Sequence, residues 1–250
     1  MEAAAARPVI RVAAICGSLR KASFNGGLLR AAAEVCEESI PELRVDHVDI
    51  SGLPLLNTDL ETDGGFPPAV EAFREKVRQA DCFLFGSPEY NYSIATPLKN
   101  ALDWASRGKN CWADKPAAIV SAGGGFGGGR SQYHLRQVGV FLDLHFINKP
   151  ELFVKAFEQP PKFDGDGLVT SVKDKYYILP IPMYYNHDAH QYLHLEYQLG
   201  HGGSRMDGRH KPRADIFLFK WASTFLNREG EAFAVSNVLA CIQKAQSSIR

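Results

Sequence analysis

Three short stretches of this chain combine residue types able to hold a ligand. Gly17-Ser18-Leu19-Arg20-Lys21-Ala22-Ser23-Phe24-Asn25 has a glycine for a tight turn, short hydrogen-bonding side chains at Ser18, Ser23 and Asn25, and the fixed charge of Arg20. With a helix starting behind it, free N–H groups would complete a site suited to a phosphate dianion. An ordinary capped strand-to-helix turn uses the same residue types, so both readings stand. It is not a P-loop, because no Gly-Lys-Ser/Thr follows at the required spacing. Gly86-Ser87-Pro88-Glu89-Tyr90-Asn91-Tyr92-Ser93 joins a stiff turn to two flat aromatic faces and polar edge groups. A planar heteroaromatic ligand wants that combination; the alternative is that Tyr90 and Tyr92 only cover the end of a sheet. Gly123-Gly124-Gly125-Phe126-Gly127-Gly128-Gly129 formally satisfies GxGxxG through Gly123, Gly125 and Gly128, and Asp143 stands near the distance expected of a ribose-binding acid. So glycine-rich a tract satisfies almost any glycine pattern, and a dinucleotide fingerprint normally opens the first strand–helix turn. The run reads instead as backbone that must approach a bulky ligand closely, or as a flexible surface loop.

The elements around these stretches are legible from periodicity. Val9 to Cys16 is an apolar run stopped by Gly17, and Leu28, Leu29, Ala32, Val35 and Cys36 recur at helical spacing behind the possible caps Ser23 and Asn25. Strands are predicted at 44–50, 81–86, 116–122 and 145–154. Helices are predicted at 69–80, 97–104 and 130–142, with Pro97 acceptable in a first turn. The run Asp81-Cys82-Phe83-Leu84-Phe85-Gly86 has the continuous apolar character of a strand buried on both faces. Alternating strands and helices define a three-layer, doubly wound α/β fold with a five-stranded parallel sheet. Ligands of such sheets bind beyond the carboxyl ends of the strands. That directs attention to the loops 17–25, 51–60, 86–95 and 122–130.

Composition narrows the function classes. The chain has 250 residues, and 28 Lys plus Arg balance 28 Asp plus Glu. That balance argues against a nucleic-acid or anionic-membrane binder. No apolar run approaches the roughly 20 residues of a membrane span, and MEAAAARPVI lacks the features of a secretory signal. Cys16, Cys36, Cys82, Cys111 and Cys241 are odd in number and form no CxxC pair, so neither a disulfide framework nor a zinc site is expected. A cytoplasmic, reducing location is the expectation.

Gly17 to Asn25, Ser87-Pro-Glu-Tyr-Asn-Tyr-Ser-Ile-Ala-Thr-Pro-Leu-Lys-Asn-Ala-Leu-Asp-Trp and Ser121-Ala-Gly-Gly-Gly-Phe-Gly-Gly-Gly-Arg together resemble the NADPH-dependent FMN reductase family, closest to its plant-type NAD(P)H:quinone oxidoreductase branch. The resemblance covers roughly residues 9–167. It implies a flavodoxin-like fold with strand order 2-1-3-4-5 and one non-covalent FMN per subunit. Ser18, Arg20, Ser23 and Asn25 would hold the FMN phosphate. Pro88, Glu89, Tyr90 and Asn91 would line the isoalloxazine ring, with Ser121, Gly123 and Gly124 behind it. It also implies ping-pong transfer of hydride from NADPH (or NADH) through FMN to a quinone, and assembly as a homodimer or homotetramer. The protein supplies position and electrostatics. No catalytic side chain and no metal are expected.

Domain organisation is then a flexible lead over 1–8, an FMN-binding domain over 9–167 and a divergent C-terminal extension over 168–250. In the extension, Ile178-Leu179-Pro180-Ile181-Pro182 cannot continue a helix. His187, His190 and His194 share helical spacing but lack a familiar ligand set. The segments 214–226 and 231–247 look helical, the first carrying Phe217, Phe219, Trp221 and Phe225. Two other functions compete: a dinucleotide-fold NAD(P) dehydrogenase using the glycine run, and an inactive or regulatory isoform whose altered C-terminus leaves a binding surface.

Overall fold

The structure is a computed structural model and describes residues 9–40, 42–62, 65–149 and 151–170. All of these lie within the first of the two units into which the chain divides, Met1–His201. The expected lead and nearly all of the expected extension, with its histidines and aromatic segment, fall outside the described residues.

Strand β1 (Ile10–Cys16) buries Ile10, Val12 and Ala14 toward one face and Ala13 and Ile15 toward the other, so it must run through the middle of a sheet. Helix α1 (Phe24–Ser39) begins where Ser23 Oγ accepts the Gly26 N–H at 3.3 Å; the cap is therefore Ser23 and not Asn25. There follow β2 (Leu43–His47), α2 (Pro68–Gln79) and β3 (Cys82–Gly86). A small hairpin comes next, β4 (Glu89–Tyr90) with β5 (Ser93–Ile94), then α3 (Thr96–Ser106) and β6 (Lys115–Gly123). Helix α4 (Gly129–Leu142) leads into β7 (Leu144–Phe146) and β8 (Leu152–Lys155).

The main sheet is parallel throughout, in the order β2-β1-β3-β6-β7, with β8 also paired to β6. This is the expected 2-1-3-4-5 order, with one difference at the fifth position. The single strand expected over 145–154 is two: β7 pairs with Lys115–Ala117 and β8 with Val120–Gly123 of β6. Asn148-Lys149-Pro150 lies between them in sequence, and turn-forming types with a proline lacking an N–H favour a break in the ladder. The second strand also ends earlier than expected, at His47; Val48 and Ile50 turn into the core on the α2 side.

Two cores result. One, under α1, joins Val12, Leu28, Leu29, Leu84, Val120 and Phe163; the other, under α2, α3 and α4, joins Ile15, Phe73, Phe83, Leu98, Trp112 and Leu135. Residues 156–170 return to the first core. Phe163 stacks on Phe24 with ring centroids 4.6 Å apart, Val169 is buried, and the Thr170 N–H donates to Lys162 O at 3.0 Å. These contacts tie the described residues through Thr170 into the first core.

Candidate functional site at the carboxyl ends of the sheet

Because β1 lies between β2 and β3, the loops leaving β1 and β3 diverge to opposite sides of the sheet and open a crevice. The three motif stretches converge there. Gly17 N–H donates to Gly86 O at 2.8 Å, and the Ser87 N–H donates to Val120 O at 2.9 Å, tying the ends of β1, β3 and β6 together. A Cβ on Gly17 would come within 2.9 Å of both Leu98 and Pro88, which is why glycine stands there.

In the first loop Ser18 Oγ accepts the Arg20 N–H at 3.3 Å and the Ser23 N–H donates to Arg20 O at 3.1 Å, folding 18–23 into a compact turn. Arg20 is exposed, its guanidinium 4.9 Å from the Phe24 ring, and has no ion pair among the described residues. The N–H groups of Phe24 and Asn25, first in α1, have no partner within the helix. The Asn25 side chain faces the other way. It is buried, its Nδ2 donating to Ala122 O at 3.0 Å and its Oδ1 accepting the Ala122 N–H at 2.9 Å. Both ends of the amide clamp α1 to β6. What Asn25 can offer a phosphate is its backbone N–H.

In the second loop Pro88 is buried and Glu89 half-buried, whereas Tyr90, Asn91 and Tyr92 are exposed. Asn91 (φ 49°) and Tyr92 (φ 64°) form the left-handed two-residue turn of the β4–β5 hairpin. Asparagine accepts that conformation readily; tyrosine does so at a cost. The turn is held by Arg130, whose guanidinium stacks 4.1 Å from the Tyr92 ring and 5.0 Å from Phe126. Glu89 accepts from the Arg130 N–H at 3.0 Å and from its Nη1 at 3.3 Å. Since the N-cap of α4, Gly128, has no side chain, Glu89 provides the anionic cap from another element. Its carboxylate is thereby directed at α4.

The glycine run divides in two. Cβ atoms on Gly124 or Gly125 would meet nothing within 4 Å, so this half is open to a ligand. On Gly127 a Cβ would lie 2.7 Å from the Phe153 backbone, and on Gly128 2.7 Å from Ser121 Cβ; both have positive φ. That half is packed and not a flexible loop. Ser121 Oγ is buried and donates to Gly127 O at 2.7 Å, so Ser121 supports the run from beneath. Asp143 sits at the opposite end of α4, about 20 Å of helix away, which rules out its pairing with the glycines in a dinucleotide fingerprint.

The fourth loop is held by the helix motif. Asn100 Nδ2 and Trp104 Nε1 both donate to Pro54 O at 2.8 Å, and Asn100 Oδ1 accepts the Leu56 N–H at 2.7 Å. Leu55 is left exposed at the rim.

Sequence reasoning named neither Ser87, Arg130, Ser131 nor Gln132 as site residues. Ser87, Ser131 and Gln132 are fully buried, with Ser87 Oγ 2.6 Å from Ser131 Oγ. Ser131 and Gln132 fall on the stripe continued by Leu135 and Leu142, and polar residues on an apolar helix stripe are the signal that could have found them.

The donor set fits FMN: an exposed arginine and helix N–H groups without a partner in the helix on one loop, and exposed tyrosines and open glycine backbone on the other two. The comparisons agree. Residues 10–159 match the model of the NADPH-dependent FMN reductase family, and the chain belongs to that family. It is 95% identical over 168 residues to a probable NADPH:quinone oxidoreductase 1 of Oryza sativa subsp. japonica, covering 67% of this chain and 85% of that one. It is 67% identical over 168 residues to an NADPH:quinone oxidoreductase of Arabidopsis thaliana, covering 67% and 86%. Among solved structures, a flavoenzyme NAD(P)H:(acceptor) oxidoreductase from Paracoccus denitrificans superposes with a TM-score of 0.64 at 28% identity, over 74% of this chain and 99% of that one.

Proposed function

We propose that this chain is an FMN-dependent NAD(P)H:quinone oxidoreductase, an enzyme that takes reducing equivalents from NADPH, or NADH, and delivers two electrons to a quinone. The observation that carries the reading is the convergence of the three loops, a cation with no ion pair among the described residues at one end and an open glycine backbone at the other, in a chain of this family. FMN, when bound, supplies the two-electron redox chemistry, and the protein's share is to hold and orient it. Arg20, Ser18, Ser23 and the first N–H groups of α1, Asn25 among them, take the phosphate. Pro88, Tyr90 and Asn91 line the ring, with Glu89 locking their hairpin to α4. Gly124 leaves room for the ring, Gly123 backs it by packing against the Gly127-Gly128 backbone, where a Cβ would lie 3.0 Å from the Gly128 nitrogen, and Ser121 fixes the loop that carries both.

The dehydrogenase alternative loses its motif, because the glycine run follows β6 and half of it is committed to packing. The regulatory-isoform alternative keeps one supporting fact: a third of this chain lies outside its alignment with the rice relative. The domain division at about residue 167 belongs to the proposal as well. A cytoplasmic location is supported by four free cysteines among the described residues, with burial holding the Cys36 thiol up at about 12. No helix among the described residues is long and apolar enough to cross a membrane. Assembly as a homodimer or homotetramer is supported by Val140 and Phe141, adjacent on α4 and more than four-fifths exposed.

The test is steady-state NADPH oxidation by the FMN-reconstituted full chain. Turnover that requires both FMN and a quinone is the expected result. A reconstituted, folded protein that oxidises no NADPH with any of several quinones would favour the regulatory reading.

A further inference from the structure

Gln132 occupies the first turn of α4 with no exposed surface, and the two hydrogen bonds that its side chain donates go to two different strands, β6 and β8. Its Nε2 donates to Ser121 Oγ at 2.8 Å and to Leu152 O at 2.8 Å. Amide orientation follows from chemistry: only the NH2 end can face a carbonyl oxygen. Ser121 Oγ receives one of these bonds and passes its own single proton to Gly127 O at 2.7 Å. The chain from Leu152 O through Gln132 and Ser121 to Gly127 therefore has one direction, and no member can be inverted without losing a hydrogen bond to a carbonyl.

α4 also meets both through rings, Tyr133 lying 6.3 Å from Phe126 and 6.0 Å from Phe153, but the Gln132 side chain joins them by directed hydrogen bonds. Gly127 packs directly against Phe153, the residue after Leu152, so the chain closes a ring through the glycine run, α4 and β8. The open half, Gly124 and Gly125, is carried on that ring.

We propose that Gln132 is a positioning residue that sets the pose of the glycine run against the flavin ring, acting through Ser121 and touching no ligand itself. The inference rests on the proposed FMN site. Backbone groups beside the ring tune its electronics, so a shifted loop changes the reduction potential of bound FMN as well as its affinity. A residue that only stabilised the fold would lower the melting temperature and leave the potential of the remaining holoprotein unchanged.

The experiment compares the wild type, Gln132→Glu, Ser121→Ala and the double variant as full-length proteins, with circular dichroism to verify folding. Gln132→Glu replaces the two-hydrogen donor with a carboxylate that repels Leu152 O, and Ser121→Ala cuts the next link with little loss of volume. FMN affinity is expected to fall about tenfold or more in each single variant. The midpoint potential of bound FMN is expected to shift in each, and the double variant to be no worse than the poorer single one, because both cut one chain. If Gln132→Glu does not fold, Ser121→Ala alone decides. Folded variants with wild-type affinity and potential, or single effects that simply add, would overturn the proposal. A wild type that binds no FMN would instead overturn the reading on which it rests.

Discussion

Arg20 and Asn25 stand on one loop with similar credentials as phosphate ligands, yet their side chains do opposite jobs. Arg20 is exposed and unpaired among the described residues, so Arg20→Ala should leave the melting temperature nearly unchanged. It removes a charge-assisted bond of about 1.5–3 kcal/mol, so FMN affinity, measured by quenching of flavin fluorescence, should fall roughly tenfold to a hundredfold. Asn25→Ala does the reverse first: it strands the buried N–H and C=O of Ala122, at about 1–3 kcal/mol for each. A lower melting temperature for the apoprotein is expected; an unchanged one would mean the amide is not the clamp between α1 and β6. His47 gives a pH dependence. Burial first, and then the charge of Arg30, hold its imidazole below the ordinary value near 6.5, with Asp46 opposing. Its neutral form is thus preferred in the folded state, so its contribution is complete above about 6.5 and is lost as pH falls below that value toward the lower folded one. His47→Gln should therefore lose less stability than wild type between pH 7 and pH 5. Parallel melting curves for the two proteins would remove His47 from the acid response.

Close approach between elements can reverse a local preference. Gly27 lies inside α1, where alanine is ordinarily favoured by roughly 0.5–1 kcal/mol. A Cβ there would stand 1.8 Å from Gly167 O, and Gly167 has φ +74° with its own backbone against Ala22. Gly27→Ala should therefore lower the melting temperature; a rise would show that the turn at 164–169 does not rest on α1. Such contacts explain what the sequence could disclose. Strands β1, β3 and β6 are buried on both faces and read as continuous apolar runs, and α1 to α4 show their helical spacing. The glycines and prolines marked three loops at the right strand ends. Direction was not legible: Asn25, Glu89 and Ser121 have the same residue types whether they face a ligand or a neighbouring backbone. The β4–β5 hairpin was hidden because its turn, Asn91-Tyr92, has no glycine. The split of the fifth strand was legible in Asn148-Lys149-Pro150-Glu151, a polar, proline-containing interruption between two apolar runs.

For the molecule as a whole, the open question is whether the chain, a third of which lies outside the alignment with the rice relative, holds and turns over a flavin. Both cores and all three loops are drawn from residues 9–170 among the described residues, with the turn at 164–169 closing over the start of α1. FMN, when bound, supplies the redox chemistry, so activity should follow FMN occupancy directly. The decisive measurement is an anaerobic visible spectrum of the full-length protein, loaded with FMN and desalted, before and after NADPH. A retained flavin band that bleaches with NADPH and returns on addition of a quinone is the predicted result. A folded but colourless protein, or a bound flavin that NADPH leaves oxidised, would contradict the assignment.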